Sequence, residues 1–133
     1  MNLNGKRIVI AKTNHIGDVV ISLPMAGLIK THYHKARVIF INRAEVCDIS
    51  RLCKDVDETY DWQEILKAKD PVLKIKALKA DVFIHTNPCQ EMAELVKKAM
   101  IPLRIGSIFR LYNWLACNRL AYISRRSTLN KRN

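Results

Sequence analysis

The sequence lacks most of the short motifs that by themselves identify a catalytic or cofactor site. It has no G-x-G-x-x-G fingerprint and no P-loop, so no motif supports a nucleotide site in this chain. Neither a Ser-His-Asp arrangement nor a pair of catalytic carboxylates can be argued from residue spacing. No apolar run approaches the roughly 20 residues that a membrane-spanning helix needs. No signal peptide, internal repeat or low-complexity segment is evident either.

Cysteine is also scarce, and its spacing excludes the usual metal motifs. The four cysteines are Cys47, Cys53, Cys89 and Cys117, and no two of them form a C-x-x-C pair. Zinc-site spacing is therefore absent, and neither a metal nor a cofactor is predicted. Together with the lack of a signal peptide, this usage predicts reduced, buried thiols in a cytoplasmic protein.

Length and composition predict one globular domain. The chain has 133 residues, of which 49% are hydrophobic, and no linker divides it. A domain of this size buries about two-thirds of the surface that its unfolded chain exposes. We therefore expect a single domain over residues 1–133.

Basic residues outnumber acidic ones, and the excess is uneven along the chain. The formal net charge is +11, and residues 101–133 hold seven Lys/Arg and no Asp or Glu. This basic C-terminal third suits an anionic partner such as a phosphorylated glycolipid, a membrane surface or nucleic acid. A solvated basic face is the alternative, since net charge bears on association rather than on fold. A basic amphipathic helix over 107–119 can likewise lie on a membrane or simply pack on the sheet.

Short apolar runs alternate with helical patterns along the chain, which is typical of βαβ units. Strands are predicted at 6–11, 37–42, 56–61, 81–85 and 103–106, and helices from 18 to about 32 and at 44–52, 62–66, 71–79, 91–100 and 107–119. Pro24 lies inside the first helix and predicts a kink or a restart there. The pattern predicts an α/β, Rossmann-like domain with a mainly parallel sheet and flanking helices.

The most informative stretch is 7–24, where an apolar strand leads through a polar loop to Gly17, Asp18 and a helix. Gly17 permits a backbone turn that a residue with a Cβ resists. At the predicted start of the helix, the Asp18 carboxylate accepts backbone N–H bonds and meets the positive end of the helix dipole, which favours its ionised form. It is either a helix cap or, at the carboxyl end of a strand, a general base.

Three segments resemble the glycosyltransferase family 9 proteins, the lipopolysaccharide heptosyltransferases. Residues 12–20 read Lys-Thr-Asn-His-Ile-Gly-Asp-Val-Val and are followed by Leu23-Pro24, which is similar to the opening motif of that family. Residues 80–85, Ala-Asp-Val-Phe-Ile-His, and 102–106, Pro-Leu-Arg-Ile-Gly, resemble two later family segments in the same order. The sequence departs from the family at Asn14 and His15, where small hydroxyl residues are usual.

The resemblance implies the N-terminal half of a GT-B fold, in which two Rossmann-like domains face each other across a cleft. It implies that this half receives the acceptor, the lipopolysaccharide inner core. The donor, ADP-heptose, is bound by a C-terminal domain that we expect to be absent from this chain. Asp18 takes the role of the base in an inverting transfer, and Lys12 that of an anion or acceptor contact. Acceptor contacts are also expected at Thr13, Asn14 and Gly17.

His85 ends the fourth predicted strand, on the same rim of the sheet as the 12–18 loop, and is a further acceptor-contact candidate. A structural histidine is the alternative. The resemblance implies a cytoplasmic heptosyltransferase domain, peripheral to the inner membrane and inactive without the donor domain. The competing interpretation is a non-enzymatic module that binds anionic lipid or nucleic acid; no specific nucleic acid is expected.

Overall fold

A parallel sheet forms the centre of the molecule. The computed structural model describes residues 3–13, 16–86, 89–107 and 119–121, and of residues 16–19, 21, 107 and 119–121 it describes the backbone alone. The strands are β1 (Arg7–Ala11), β2 (Arg37–Asn42), β3 (Glu58–Asp61), β4 (Val82–His85), β5 (Leu103–Ser107) and β6 (Arg119–Ala121). They form one sheet in the order β3-β2-β1-β4-β5-β6, and every adjacent pair is parallel. This confirms the predicted α/β, Rossmann-like fold.

Helices connect the first five strands, as parallel pairing requires. They are α1 (Ile16–His32), α2 (Cys47–Arg51) after a 3-10 turn at Ala44–Val46, α3 (Trp62–Lys67), α4 (Pro71–Ala77) and α5 (Gln90–Lys98). Aspartate side chains cap the amino ends of α3 and α4. The carboxylate of Asp61 accepts a hydrogen bond from the N–H of Gln63 at 2.9 Å, and that of Asp70 accepts one from the N–H of Leu73 at 3.1 Å. Such N-caps satisfy amide groups that have no partner within the helix.

Two details of the first helix differ from the sequence prediction. It begins at Ile16, two residues before the predicted start, so that Gly17 and Asp18 lie in its first turn. It then runs without a break through Pro24 to His32, so there is no restart. Val20 and Pro24 both lie on the exposed side of α1. The carbonyl that the proline leaves without an amide partner is therefore on the solvent side, which lowers the cost of Pro24.

The carboxyl-terminal part of the sheet contains a strand that the sequence did not indicate. The predicted helix over 107–119 is wrong at both ends, because Ser107 belongs to β5 and Arg119 to β6. Residues 108–118 and 122–133 lie outside the described residues. At three residues, β6 is too short to show the alternation by which strands are predicted.

The central strands β1, β2 and β4 are buried on both faces, as strands of parallel sheets usually are. One face packs under α3, α4 and α5, and its core includes Val9, Ile39, Ile75, Phe83 and Met92. The opposite face packs under α1, and its core includes Ile8, Ile10, Ala26, Val38 and Phe40. Alternate residues of β1 and β2 thus belong to opposite cores, which explains why both strands read as near-continuous apolar runs.

Charged residues form ion pairs and hydrogen bonds at the side of the sheet where the strands begin, which is called here its amino-terminal edge. Arg7 contacts Glu58 at 2.9 Å and donates to the carbonyl of Leu78 at 2.7 Å. Asp57 accepts from the Nζ of Lys30 at 2.6 Å and from the N–H of Val38 at 2.8 Å. These contacts join β1, β2, α1 and the start of β3, and they explain how a four-residue edge strand is held in register.

Both carboxylates of this network are stabilised in the ionised form. Partial burial acts to raise the pKa of Asp57, but the hydrogen bonds from Lys30 and Val38 and the charges of Lys30 and Arg37 outweigh it and lower the pKa. Hydrogen bonds from Arg7 and Tyr60 lower the pKa of Glu58. A carboxyl whose pKa is lower in the folded chain stabilises the fold above its unfolded pKa, and that contribution is lost as the pH falls through its folded pKa.

We expect Asp57→Asn to lower the free energy of unfolding at pH 7 by about 2 kcal/mol, because it removes charge-assisted hydrogen bonds. The difference from the wild type should shrink below about pH 4, where the wild-type carboxylate also becomes protonated. Urea unfolding at several pH values measures this. The control is Asp48→Asn, since the Asp48 side chain is 93% exposed. A deficit that is the same at pH 7 and pH 3 would contradict the assignment.

Candidate functional site

The strands end together at one side of the sheet, which is called here its carboxyl-terminal edge. This side has a topological switch point between β1 and β4. From β1 the chain proceeds through α1 to β2 on one side, whereas β4 lies on the other side of β1. In the register of the sheet, Ala11 is level with Ile41 of β2 and with His85 of β4. Ligands of open α/β sheets bind at such a point, because the connections that leave the two strands diverge and open a crevice.

The sequence-predicted residues converge on this edge. Lys12 and Thr13 follow β1 directly and are half-buried, while Gly17 and Asp18 lie in the first turn of α1, whose amino end leaves the same edge. His85 ends the neighbouring strand β4. Asn14 lies outside the described residues, so its predicted contact stays a prediction. Of Asp18 only the backbone is described, so its predicted role as a base stays a prediction.

Two buried polar residues at this edge were missed by the sequence analysis. Asn42, the last residue of β2, and Ser50 of α2 are both fully buried. The Asn42 amide nitrogen donates to the carbonyl of Lys12 at 2.8 Å, and the Ser50 hydroxyl donates to the Asn42 amide oxygen at 2.5 Å. A polar residue directly after the apolar run 38–41 was the only available signal, and it did not indicate the partners.

Thr86, the residue after β4, is the third missed residue. Its N–H donates to the carbonyl of Ala11 at 3.3 Å, and its hydroxyl donates to the same carbonyl at 2.5 Å. The N–H of Lys12 in turn donates to the carbonyl of Ile41 at 2.9 Å. The chain that leaves β1 is therefore hydrogen-bonded to the ends of both neighbouring strands.

His85 is buried rather than open to the crevice. Its side chain is only 9% exposed, its ring centroid lies 4.9 Å from that of Phe83, and its Nε2 is buried without a hydrogen-bond partner. Burial lowers the pKa of His85 to about 4, with a smaller contribution from the positive charge of Arg104. At neutral pH the imidazole is therefore uncharged, and a cationic contact with phosphate is not available from it in this position.

Other features of the described residues lie away from this edge or lack the chemistry of a site. A groove of about 380 Å³ runs along the edge strand β3, between α3 and α4, on the far side of β2 from the switch point. No three His, Cys, Asp or Glu side chains in the described ranges are close enough to hold a metal ion. Cys47, Cys53 and Cys89 are free thiols, and burial raises the pKa of Cys47.

The parallel strand order and the connecting helices define an α/β, Rossmann-like domain, and solved structures share this fold. The glycosyl transferase family 9 protein from Veillonella parvula DSM 2008 matches with a TM-score of 0.74 and 18% identity over 94% of this chain and 38% of that chain. E. coli heptosyltransferase WaaC with ADP matches with a TM-score of 0.73 and 19% identity over 90% of this chain and 42% of that chain.

E. coli ADP-heptose lps heptosyltransferase II matches with a TM-score of 0.75 and 17% identity over 91% of this chain and 36% of that chain. The fold is thus that of the N-terminal part of the GT-B heptosyltransferases, in agreement with the resemblance that the three sequence segments carry. This chain spans about two-fifths of the length of these structures. No protein-family model and no curated protein matches the sequence.

His85 predicts a specific pH dependence of stability. Because its pKa is lower in the folded chain than the ordinary value of 6.5, the unfolded chain binds the proton first as the pH falls. The contribution of His85 to the free energy of unfolding should therefore be complete above about pH 6.5. It should fall by about 3 kcal/mol between pH 6.5 and about 4. His85→Phe should flatten the curve of unfolding free energy against pH in this range.

The matched control for this prediction is His32→Phe at the exposed end of α1, which should leave the curve as in the wild type. Denaturant unfolding between pH 7.5 and about 4 gives the curve. An unchanged slope for His85→Phe would contradict the buried, neutral state of this histidine.

Proposed function

We propose that this chain is the acceptor-side domain of a heptosyltransferase of glycosyltransferase family 9. The observation that carries the proposal is the position of Lys12 and Thr13 directly after β1, and of Gly17 and Asp18 in the first turn of α1, at the switch point of a fold shared with heptosyltransferases. The sequence motif and its placement in the fold both support the same class of enzyme. The proposed reaction transfers heptose from ADP-heptose to the inner core of lipopolysaccharide.

In this proposal Asp18 is the general base. Its carboxylate takes the proton from a hydroxyl of the acceptor sugar, and the acceptor oxygen forms a bond to the anomeric carbon of the heptose. The bond from that carbon to the diphosphate breaks, ADP leaves with the electron pair, and the configuration at the anomeric carbon inverts. The first turn of α1 favours the ionised carboxylate that this step requires.

We assign the acceptor contacts to residues at the same carboxyl-terminal edge of the sheet. Lys12 supplies a cation for anionic groups of the acceptor, and Thr13, Asn14 and Gly17 supply polar or backbone contacts. His85 ends the neighbouring strand β4, and because it is buried and neutral it offers no cationic contact to the acceptor. No metal or cofactor enters this scheme.

The donor site belongs, in this proposal, to a second domain. The matched solved structures are more than twice as long as this chain, and one of them holds ADP. The 133-residue chain has no nucleotide-binding motif of its own. We therefore expect it to be inactive alone and to transfer heptose only with a donor-binding domain.

The proposed cellular location rests on the excess of basic residues near the C-terminus. We propose a place in the cytoplasm, where the basic C-terminal third meets the anionic surface of the inner membrane. No helix among the described residues is long and apolar enough to cross a membrane. The alternative, a non-enzymatic module for anionic lipid or nucleic acid, rests on net charge alone and has no described site in its support.

Asp18→Ala should lower heptose transfer by about 100-fold or more, since removal of a general base typically costs that much. The assay mixes this chain with a separately expressed C-terminal half of a heptosyltransferase, ADP-heptose and lipopolysaccharide core acceptor. The control is Asp48→Ala, because Asp48 also lies in the first turn of a helix but on the exposed side of α2. That variant should transfer as the wild type does.

Three outcomes count against the proposal. Transfer by this chain without a donor domain contradicts the assignment of the donor site to a second domain. Heptose transfer at the wild-type rate by Asp18→Ala contradicts the role of Asp18 as the general base. Salt-sensitive binding of random nucleic acid that Asp18→Ala does not affect, with no transfer in any mixture, favours the non-enzymatic module.

A further inference from the structure

The exit of β1 is held from both sides by polar side chains. Thr86, after β4, donates its hydroxyl to the carbonyl of Ala11 at 2.5 Å. Asn42, at the end of β2, donates its amide nitrogen to the carbonyl of Lys12 at 2.8 Å. These two hydrogen bonds, named here the exit clamp, act on successive carbonyls and come from opposite neighbours of β1.

Holding successive carbonyls determines the direction of the chain. Each peptide unit is planar, so a hydrogen bond that aims its carbonyl also orients the whole plane. The plane that joins Ala11 to Lys12 is held at its carbonyl by Thr86 and at its N–H by Ile41. The next plane, from Lys12 to Thr13, is held by Asn42. The first two peptide planes beyond β1 are therefore oriented by residues of other strands.

The carbonyl of Lys12 determines which way the Asn42 amide faces, and Ser50 satisfies the other end of that amide. A carbonyl oxygen only accepts hydrogen bonds, so Lys12 requires the amide nitrogen of Asn42 on its side. The amide oxygen then points to the Ser50 hydroxyl, which donates to it at 2.5 Å. Both residues are fully buried, so water does not replace either partner. Loss of one leaves a buried polar group unsatisfied, which costs more than a surface hydrogen bond.

We propose that Asn42 and Thr86 are positioning residues, which aim the chain that leaves β1 so that Lys12 and Thr13 lie at the switch point between β1 and β4. Neither residue needs to touch the substrate. The catalytic consequence rests on the proposed function, whereas the effect on the backbone does not. Ser50 acts one step further away, through its hydrogen bond to the Asn42 amide oxygen.

Amide hydrogen exchange of the full chain, followed by NMR, tests the backbone effect. Asn42→Asp keeps the shape but replaces the donor by an acceptor, and Thr86→Val removes the hydroxyl. We expect the Lys12 amide in Asn42→Asp, and the residue 86 amide in Thr86→Val, to exchange about tenfold faster or more. The Ile39 amide in the middle of β2 should keep its wild-type rate. An equal acceleration of all amides would reduce the role to general stability and overturn the proposal.

Two further variants sharpen this test. Thr86→Ser retains the hydroxyl and should restore the wild-type exchange rate. Thr31→Val is the matched control, because the Thr31 hydroxyl also donates to a backbone carbonyl, that of Gly27 at 2.8 Å, but on the exposed side of α1. It should leave the amides of Lys12 and Thr86 unchanged. Failure of Thr86→Ser to restore protection, or acceleration at Lys12 by Thr31→Val, would overturn the assignment.

The transfer assay with a supplied donor domain tests the catalytic consequence. We expect Asn42→Asp and Thr86→Val to raise the KM for the acceptor and to lower kcat, each by about tenfold, without changing the KM for ADP-heptose. Changes in the KM for ADP-heptose, or unchanged kinetics in variants with faster exchange at Lys12, would overturn the positioning role. Absence of transfer in the wild type counts against the proposed function alone, since hydrogen exchange still decides on the exit clamp.

Discussion

The parallel pairing of β1 with two neighbours at once is the constraint on which the rest of the structure depends. Because β2 and β4 pair with opposite edges of β1, its residues are buried on both faces and bonded on both edges. The chain leaves this strand only at the end of the sheet, where both neighbours also end. The switch-point crevice, the position of α1 and the convergence of the predicted site residues all follow from this arrangement.

The two edges of the sheet serve different purposes. At the amino-terminal edge, charged pairs between Arg7, Lys30, Asp57 and Glu58 join strands and helix, and their carboxylates are in the ionised state. At the carboxyl-terminal edge the contacts are neutral: an amide, two hydroxyls and an uncharged imidazole. These charged pairs are thus separated in space from the candidate site at the opposite ends of the strands.

The sequence predicted the fold well where local pattern carries the information. The apolar runs at β1, β2 and β4 follow from burial on two faces, and the sequence also placed Lys12 and Thr13 just beyond the carboxyl end of a strand. It did not predict Asn42, Ser50 or Thr86, because their partners lie up to 75 positions away along the chain. The neutral state of His85 also escaped prediction, since it arises from burial beside Phe83 and Arg104, which only the assembled sheet brings about.

The edge strand β3 has a consequence for how the protein behaves in concentrated solution. An open strand edge is a template on which copies of a chain add to one another and form fibrils, unless charge or shortness blunts it. β3 has only four residues and carries a carboxylate at each end, Glu58 and Asp61. Like charges would meet if two such edges approached each other, and the net charge of +11 adds a long-range repulsion between molecules. Growth of a continuous intermolecular sheet from this side is therefore disfavoured.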